Sequence, residues 1–256
     1  MSESERSGWV MPFSIIVSAF GLFTILALAA YNAGPTETVA WRKPVVGSIF
    51  ALICILGIVL TLSPRKCSET FGHKKRLETA TFFLNASNSV LGTKGHHYDC
   101  GKFSAHTIQV NGHVLCAACT GLFLGALGAL FGNAIFFFVG WDSWQIGFLA
   151  VVLGVAATTL GFLQFKFGGL ARLILNVLFV LGAFLILAGM DGLIESLSVD
   201  LFSIALIAFW IFTRILISQW NHLKICRRCP IICEIRGSRK VGSISSAQSV
   251  QGTDHD

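Results

Sequence analysis

The chain has 256 residues, of which 54% are hydrophobic and only 12% charged, with a mean hydropathy of +0.72. Soluble domains carry about a quarter charged residues, so this composition excludes an ordinary water-soluble globule and points to an integral membrane protein. The net charge of +6 then describes a basic rim beside the lipid, and it gives no case for a nucleic-acid partner.

Six apolar segments follow one another. Val10–Ala30, Pro44–Pro64, Val114–Val139 and Ser143–Phe165 contain no charged residue. Each reaches the roughly 20 residues a helix needs to cross the hydrocarbon core. Leu173–Met190 is uncharged but a little short, and Leu201–Trp220 carries one charge, Arg214. The expectation is an all-α membrane protein of six spans. The first span does not read as a signal peptide, because Glu3, Glu5 and Arg6 precede it and its apolar run is too long. Ala27-Leu28-Ala29 does resemble a cleavage site.

Residues 1–64 form an N-terminal helix pair, 65–113 a polar insert, 114–220 a four-helix bundle and 221–256 a basic tail. Beyond about residue 237 the tail is rich in Ser, Gly, Gln and Asp, the composition of a disordered segment. In the insert, Leu77–Leu91 is mildly amphipathic and reads as an interfacial helix. With the N-terminus inside, the inner segments hold 17 of the 19 Lys and Arg residues. The positive-inside rule therefore places both termini in the cytoplasm of a cell-membrane protein. Its basic inner collar suits anionic lipid headgroups.

That topology puts seven of the eight cysteines on the cytoplasmic side, Cys54 alone lying within a span. Cytosol keeps thiols reduced, so cysteine clusters there read as metal ligands or redox groups. The main cluster is His96-His97-Tyr98-Asp99-Cys100, then His106, then Cys116-Ala117-Ala118-Cys119 at the start of the third span. Asn111-Gly112 between β-prone runs predicts a hairpin that pairs Val110 with His113 and Thr107 with Cys116. It would return His106 toward the C-x-x-C pair. An i, i+3 spacing sets both sulfurs on one helical face, and a helix N-terminus favours thiolates. Zinc takes four thiolate or imidazole ligands, which Cys100, Cys116, Cys119 and one of His96, His97 and His106 supply. The plain alternative is solvated loop histidines beside small packing cysteines.

His222, Cys226, Cys229 and Cys233 make a second cluster, broken by Pro230. It reads as a separate metal site, as a ligand donor to the first cluster, or as juxtamembrane cysteines of the palmitoylated kind. The Cys226-x2-Cys229-x3-Cys233 spacing faintly resembles an iron–sulfur run without its fourth thiolate.

Gly121, Gly125 and Ala129 repeat every four residues, with Gly128 and Gly132 on a neighbouring face. Small residues so spaced let helices approach closely, inside one bundle in the first reading and across a homodimer seam through the Gly121/Gly125 face in the second. Arg214 is expected to snorkel to the inner interface, and Gln164 and Asn176 to hydrogen-bond between helices. Asp142, Asp191, Glu195 and Asp200 fall in outer loops, and no span shows the paired acids of a proton or cation path. No nucleotide-binding, hydrolase or metalloprotease motif is present.

From Cys100 through Gly125 the chain resembles a prokaryotic family of uncharacterised multi-span membrane proteins. Their signature is a Cys, a hairpin-like segment and then C-A-x-C-T-G opening an apolar helix. It maps here onto Cys100, Cys116-Ala117-Ala118-Cys119-Thr120-Gly121 and Gly125, and the His96-His97…His106 approach resembles the archaeal members. Family members often carry Arg where this chain has Ala118. The likeness spans about 30 residues; it implies a membrane location and a shared cysteine site and brings no activity.

These readings converge on a membrane protein with a structural zinc knuckle at its cytoplasmic boundary. One alternative is a membrane thiol oxidoreductase or iron–sulfur electron-transfer protein using the C-x-x-C pairs. Another is a transporter of a neutral or lipidic substrate. A non-enzymatic role is favoured over an enzymatic one.

Overall fold

The computed structural model describes residues 3–31, 41–62, 106–110, 113–140 and 147–227. Its elements are α1 (Glu3–Tyr31), α2 (Arg42–Leu62), strands β1 (Thr107–Val110) and β2 (His113–Cys116), α3 (Ala117–Asn133), α4 (Gly147–Phe162), α5 (Gly169–Ile194) and α6 (Leu197–Arg227). A π-helical turn, Ala134–Val139, continues α3, and a 3-10 turn, Leu163–Lys166, continues α4. Among the described residues, six helices are long and apolar enough to cross a bilayer. The chain is an all-α, multi-pass membrane protein, and each apolar segment read from the sequence overlaps one of these helices, the third helix starting at Ala117 rather than Val114. The amphipathic stretch Leu77–Leu91 and the tail beyond residue 227 lie outside the described residues.

Side chains such as Phe20, Phe23 and Phe131 are 69–71% exposed on the helix faces, where lipid takes the place of water. Lipid is as apolar as leucine, so burial in oil does not hold such a bundle together; close packing and internal polar contacts do. One close seam joins α4 to α5. A Cβ at Gly154 would fall 2.7 Å from the carbonyl oxygen of Gly182, and one at Gly189 2.7 Å from that of Gly147. Only glycine lets these backbones touch. Trp210, Phe50, Phe179, Ile186 and Met190 fill the centre.

The glycines of α3 also meet α5. Gly125 faces Val177 and Val180, Gly128 faces Leu181 and Gly132 faces Phe184, while Gly121 packs on the Leu173 carbonyl and Asn176. Both helices advance together along this seam, so they run parallel and their first turns lie side by side. The Gly121/Gly125 face packs within the chain, against α5. A second copy could use that face only by displacing α5.

Three further expectations change. Asp191 and Asp200 are not loop residues: each has 0% exposure, and each approaches Nη1 of the buried Arg42 to 2.6 Å. The tight turn at Glu195, in left-handed backbone at φ 49°, folds α6 against α5 and makes paired acids of them. Arg214 does not snorkel. It is 6% exposed, donates to Gln164 Oε1 at 3.2 Å and stacks over Phe179. Gln164 thus joins two helices as expected, whereas Asn176 donates to Arg172 of its own helix, at 2.6 Å.

Candidate thiol centre

The hairpin has the predicted register, with Thr107 opposite Cys116 and Val110 opposite His113. The turn residues Asn111 and Gly112 lie outside the described residues. β2 passes into α3 at Cys116, which caps the helix in extended backbone, at φ −73° and ψ 114°. Cys119 follows three residues later, in the first turn. Both cysteines are half-buried thiols rather than a disulfide.

The Cys116 thiol is lowered from an ordinary 9.0 to about 6. The hydrogen bond from the Cys119 thiol is the largest cause, and burial opposes it. The backbone amides of Cys119 and Ala118 and the charge of Arg172 add to the lowering. The sulfur makes no full capping hydrogen bond, yet these amides lie close enough to favour its anion, as helix N-termini do. The pair therefore favours an anionic Cys116 well beyond an ordinary thiol.

Two arginines complete the cluster. Arg172 comes from the first turn of α5, 4% exposed, and lies over Phe165. Arg214 comes from α6 and lies within electrostatic range of Cys119, Arg172 and Cys116. The parallel α3–α5 seam brings Arg172 to the cysteines, and the α5–α6 turn brings Arg214 back to the same level. Arg172 Nη1 is 2.5 Å from His106 Nδ1. A guanidinium only donates, so Nδ1 accepts and the proton of the neutral imidazole sits on Nε2. For His106 to ligate a metal through Nε2, that proton would have to move to the nitrogen Arg172 already occupies.

Among the described residues, no three His, Cys, Asp or Glu side chains gather as a metal site requires. His96, His97, Cys100 and Cys229 lie outside the described residues. The backbone of Cys226 stands on α6, twelve residues beyond Arg214, or roughly 18 Å along a straight helix. The structure therefore brings together Cys116, Cys119 and His106 of the expected residues. It adds Arg172 and Arg214, which the sequence reading left out of the site. Their signal was available: Arg214 is the lone charge in an apolar span, and Arg172 lies one turn into the span before it. Compared with protein-family models, with curated proteins and with solved structures, the chain matches none.

Proposed function

We propose that Cys116 and Cys119 form a dithiol centre for thiol–disulfide exchange at the cytoplasmic boundary of the membrane. The observation that carries this reading is the hydrogen-bonded pair at the start of α3, with its lead thiol lowered to about 6. Cys116 is the attacking thiolate and Cys119 the resolving thiol. In the first step Cys116 sulfur attacks one sulfur of a substrate disulfide and expels the other as a thiolate. Cys119, losing its proton to that leaving thiolate, then attacks the mixed disulfide and closes the Cys116–Cys119 bond. Two electrons pass to the substrate, which leaves as two thiol groups. Arg172 and Arg214 hold the attacking anion in place, and His106 holds Arg172. A cytosolic setting, where thiols are kept reduced, suits the reductive direction.

One observation favours a second reading, the zinc knuckle. Zinc with four thiolates carries two negative charges, which two buried guanidiniums would match. With His106 engaged by Arg172, the further thiolates would come from Cys100 and Cys229. An iron–sulfur cluster would need the same thiolates.

Metal analysis of the full chain, purified in detergent without added metal, separates the readings. The dithiol centre predicts no stoichiometric metal, with Cys116 alkylated at neutral pH and a Cys116–Cys119 disulfide formed by an added disulfide. About one zinc per chain and inert thiols would overturn it in favour of the knuckle, and a brown iron band would make the protein an electron carrier.

A further inference from the structure

Arg172 and Arg214 are buried cations, at 4% and 6% exposure, and they lie within electrostatic range of each other. Neither meets a carboxylate among the described residues. Arg172 has His106 and Arg214 has Gln164, both neutral acceptors. Donor capacity is left over: Nε of Arg172, Nε of Arg214 and the Thr120 hydroxyl, one residue past Cys119, make no hydrogen bond among the described residues. Two guanidiniums in a protein interior call for an anion, and the described groups within range that can carry one are the sulfurs of Cys116 and Cys119.

This observation extends the dithiol reading and rests on it. When the pair closes, Cys116–S⁻ and Cys119–SH react with a disulfide R–S–S–R to give Cys116–S–S–Cys119, RS⁻ and RSH. The site loses its negative charge while both arginines keep theirs. We infer that Arg172 and Arg214 form an oxyanion site, filled by the Cys116 thiolate in the reduced protein and by a phosphate-type group once the pair is oxidised. Planar guanidinium forks match tetrahedral oxyanions, each offering paired N–H donors. Free phosphate and the headgroup of an anionic phospholipid share this chemistry. Binding is reciprocal: an anion that prefers the oxidised form also draws the pair toward the disulfide.

The test uses the full chain in phosphatidylcholine nanodiscs. Phosphate in place of chloride should move the dithiol/disulfide equilibrium at least tenfold toward the disulfide, about 30 mV for two electrons. It should raise the unfolding temperature of the oxidised protein but not of the reduced one. The C116S/C119S variant, which has no thiolate and no redox chemistry, should bind phosphate by calorimetry. A response to phosphatidylglycerol in the nanodisc but not to phosphate supports the site with a lipid headgroup as its source. R172Q and R214Q, tested singly, should each weaken the response at least tenfold, with R214K retaining more of it than R214Q. Indifference of C116S/C119S to both anions overturns the inference, as does a response that survives both Arg→Gln variants. A wild-type pair that never forms a disulfide sinks the dithiol reading alone, since the serine variant still decides the anion site.

Discussion

The two ends of the bundle treat buried arginine in opposite ways. At one end Arg42 meets two carboxylates at 2.6 Å, from Asp191 and Asp200, and the three side chains pin α2, α5 and α6 together. At the other, Arg172 and Arg214 have neutral acceptors and a sulfur pair, and no carboxylate among the described residues. The ion cluster pairs its charges directly, although both oxygens of Asp191 and Oδ1 of Asp200 make no hydrogen bond among the described residues. Its energetics are those of a lock, where removing one partner costs more than the pair ever contributed. Arginines left with weak, polarisable partners are instead available to steady a thiolate or to receive an anion. Burial of charge is common to both ends, and the identity of the counter-group separates structure from chemistry.

Breaking the lock should give the largest effect. Arg42→Met leaves two carboxyls buried against one another and should destabilise the protein by about 3–5 kcal/mol, read as thermal unfolding in detergent. Arg172→Gln strands no carboxylate and should cost distinctly less; equal losses would erase the distinction between the ends. Next comes the reactivity of the thiol end. Alkylation of Cys116 should rise about tenfold per pH unit up to about 6 and level off above it, because a lowered thiol is already ionised there. A midpoint near 9.0, the ordinary thiol value, would mean that the cluster does nothing to the sulfur.

Substitutions then rank the causes. Cys119→Ala should move that midpoint upward more than Arg172→Gln does, since the Cys119 hydrogen bond outweighs the Arg172 charge. The reverse order, measured by the same alkylation profile, would make the arginine the principal activator. The smallest effect belongs to His106→Ala, which removes one hydrogen bond to a charged group. It should cost about 1.5–3 kcal/mol and shift the Cys116 midpoint less than Arg172→Gln does, because His106 acts through Arg172.

Much of this was legible in the residues. Charge-free runs of span length gave the helices, because a bilayer tolerates little else. Asn111-Gly112 gave the hairpin register, since a two-residue turn fixes pairing once its position is known. The small-residue repeat in α3 gave a contact face. What stayed hidden was the partner of each polar group. Arg214 on paper is a long side chain near a helix end, and snorkelling is the usual outcome. Only the fold supplies Gln164 and Phe179 beside it. Asp191 and Asp200 bracket a turn and look like loop acids, until the left-handed residue at Glu195 folds two helices so closely that both carboxyls turn inward. A side chain's distance from the membrane centre can be read along one helix. Whether it faces lipid or protein depends on a neighbour far away in the chain.

The Arg42 cluster also has a bearing on the order in which the protein is assembled. Arg42 is made about 150 residues before Asp191 and Asp200, a delay on the order of ten seconds at cellular rates of synthesis. Throughout that interval the second helix carries a cation with neither of its counter-charges yet in existence. It must wait at the lipid headgroups or beside the insertion machinery, and α2 can take its final seat only after α6 arrives. Arrival of α6 is thus the step that seats α2, and a chain cut before α6 would display an unseated second helix to the cell's quality control.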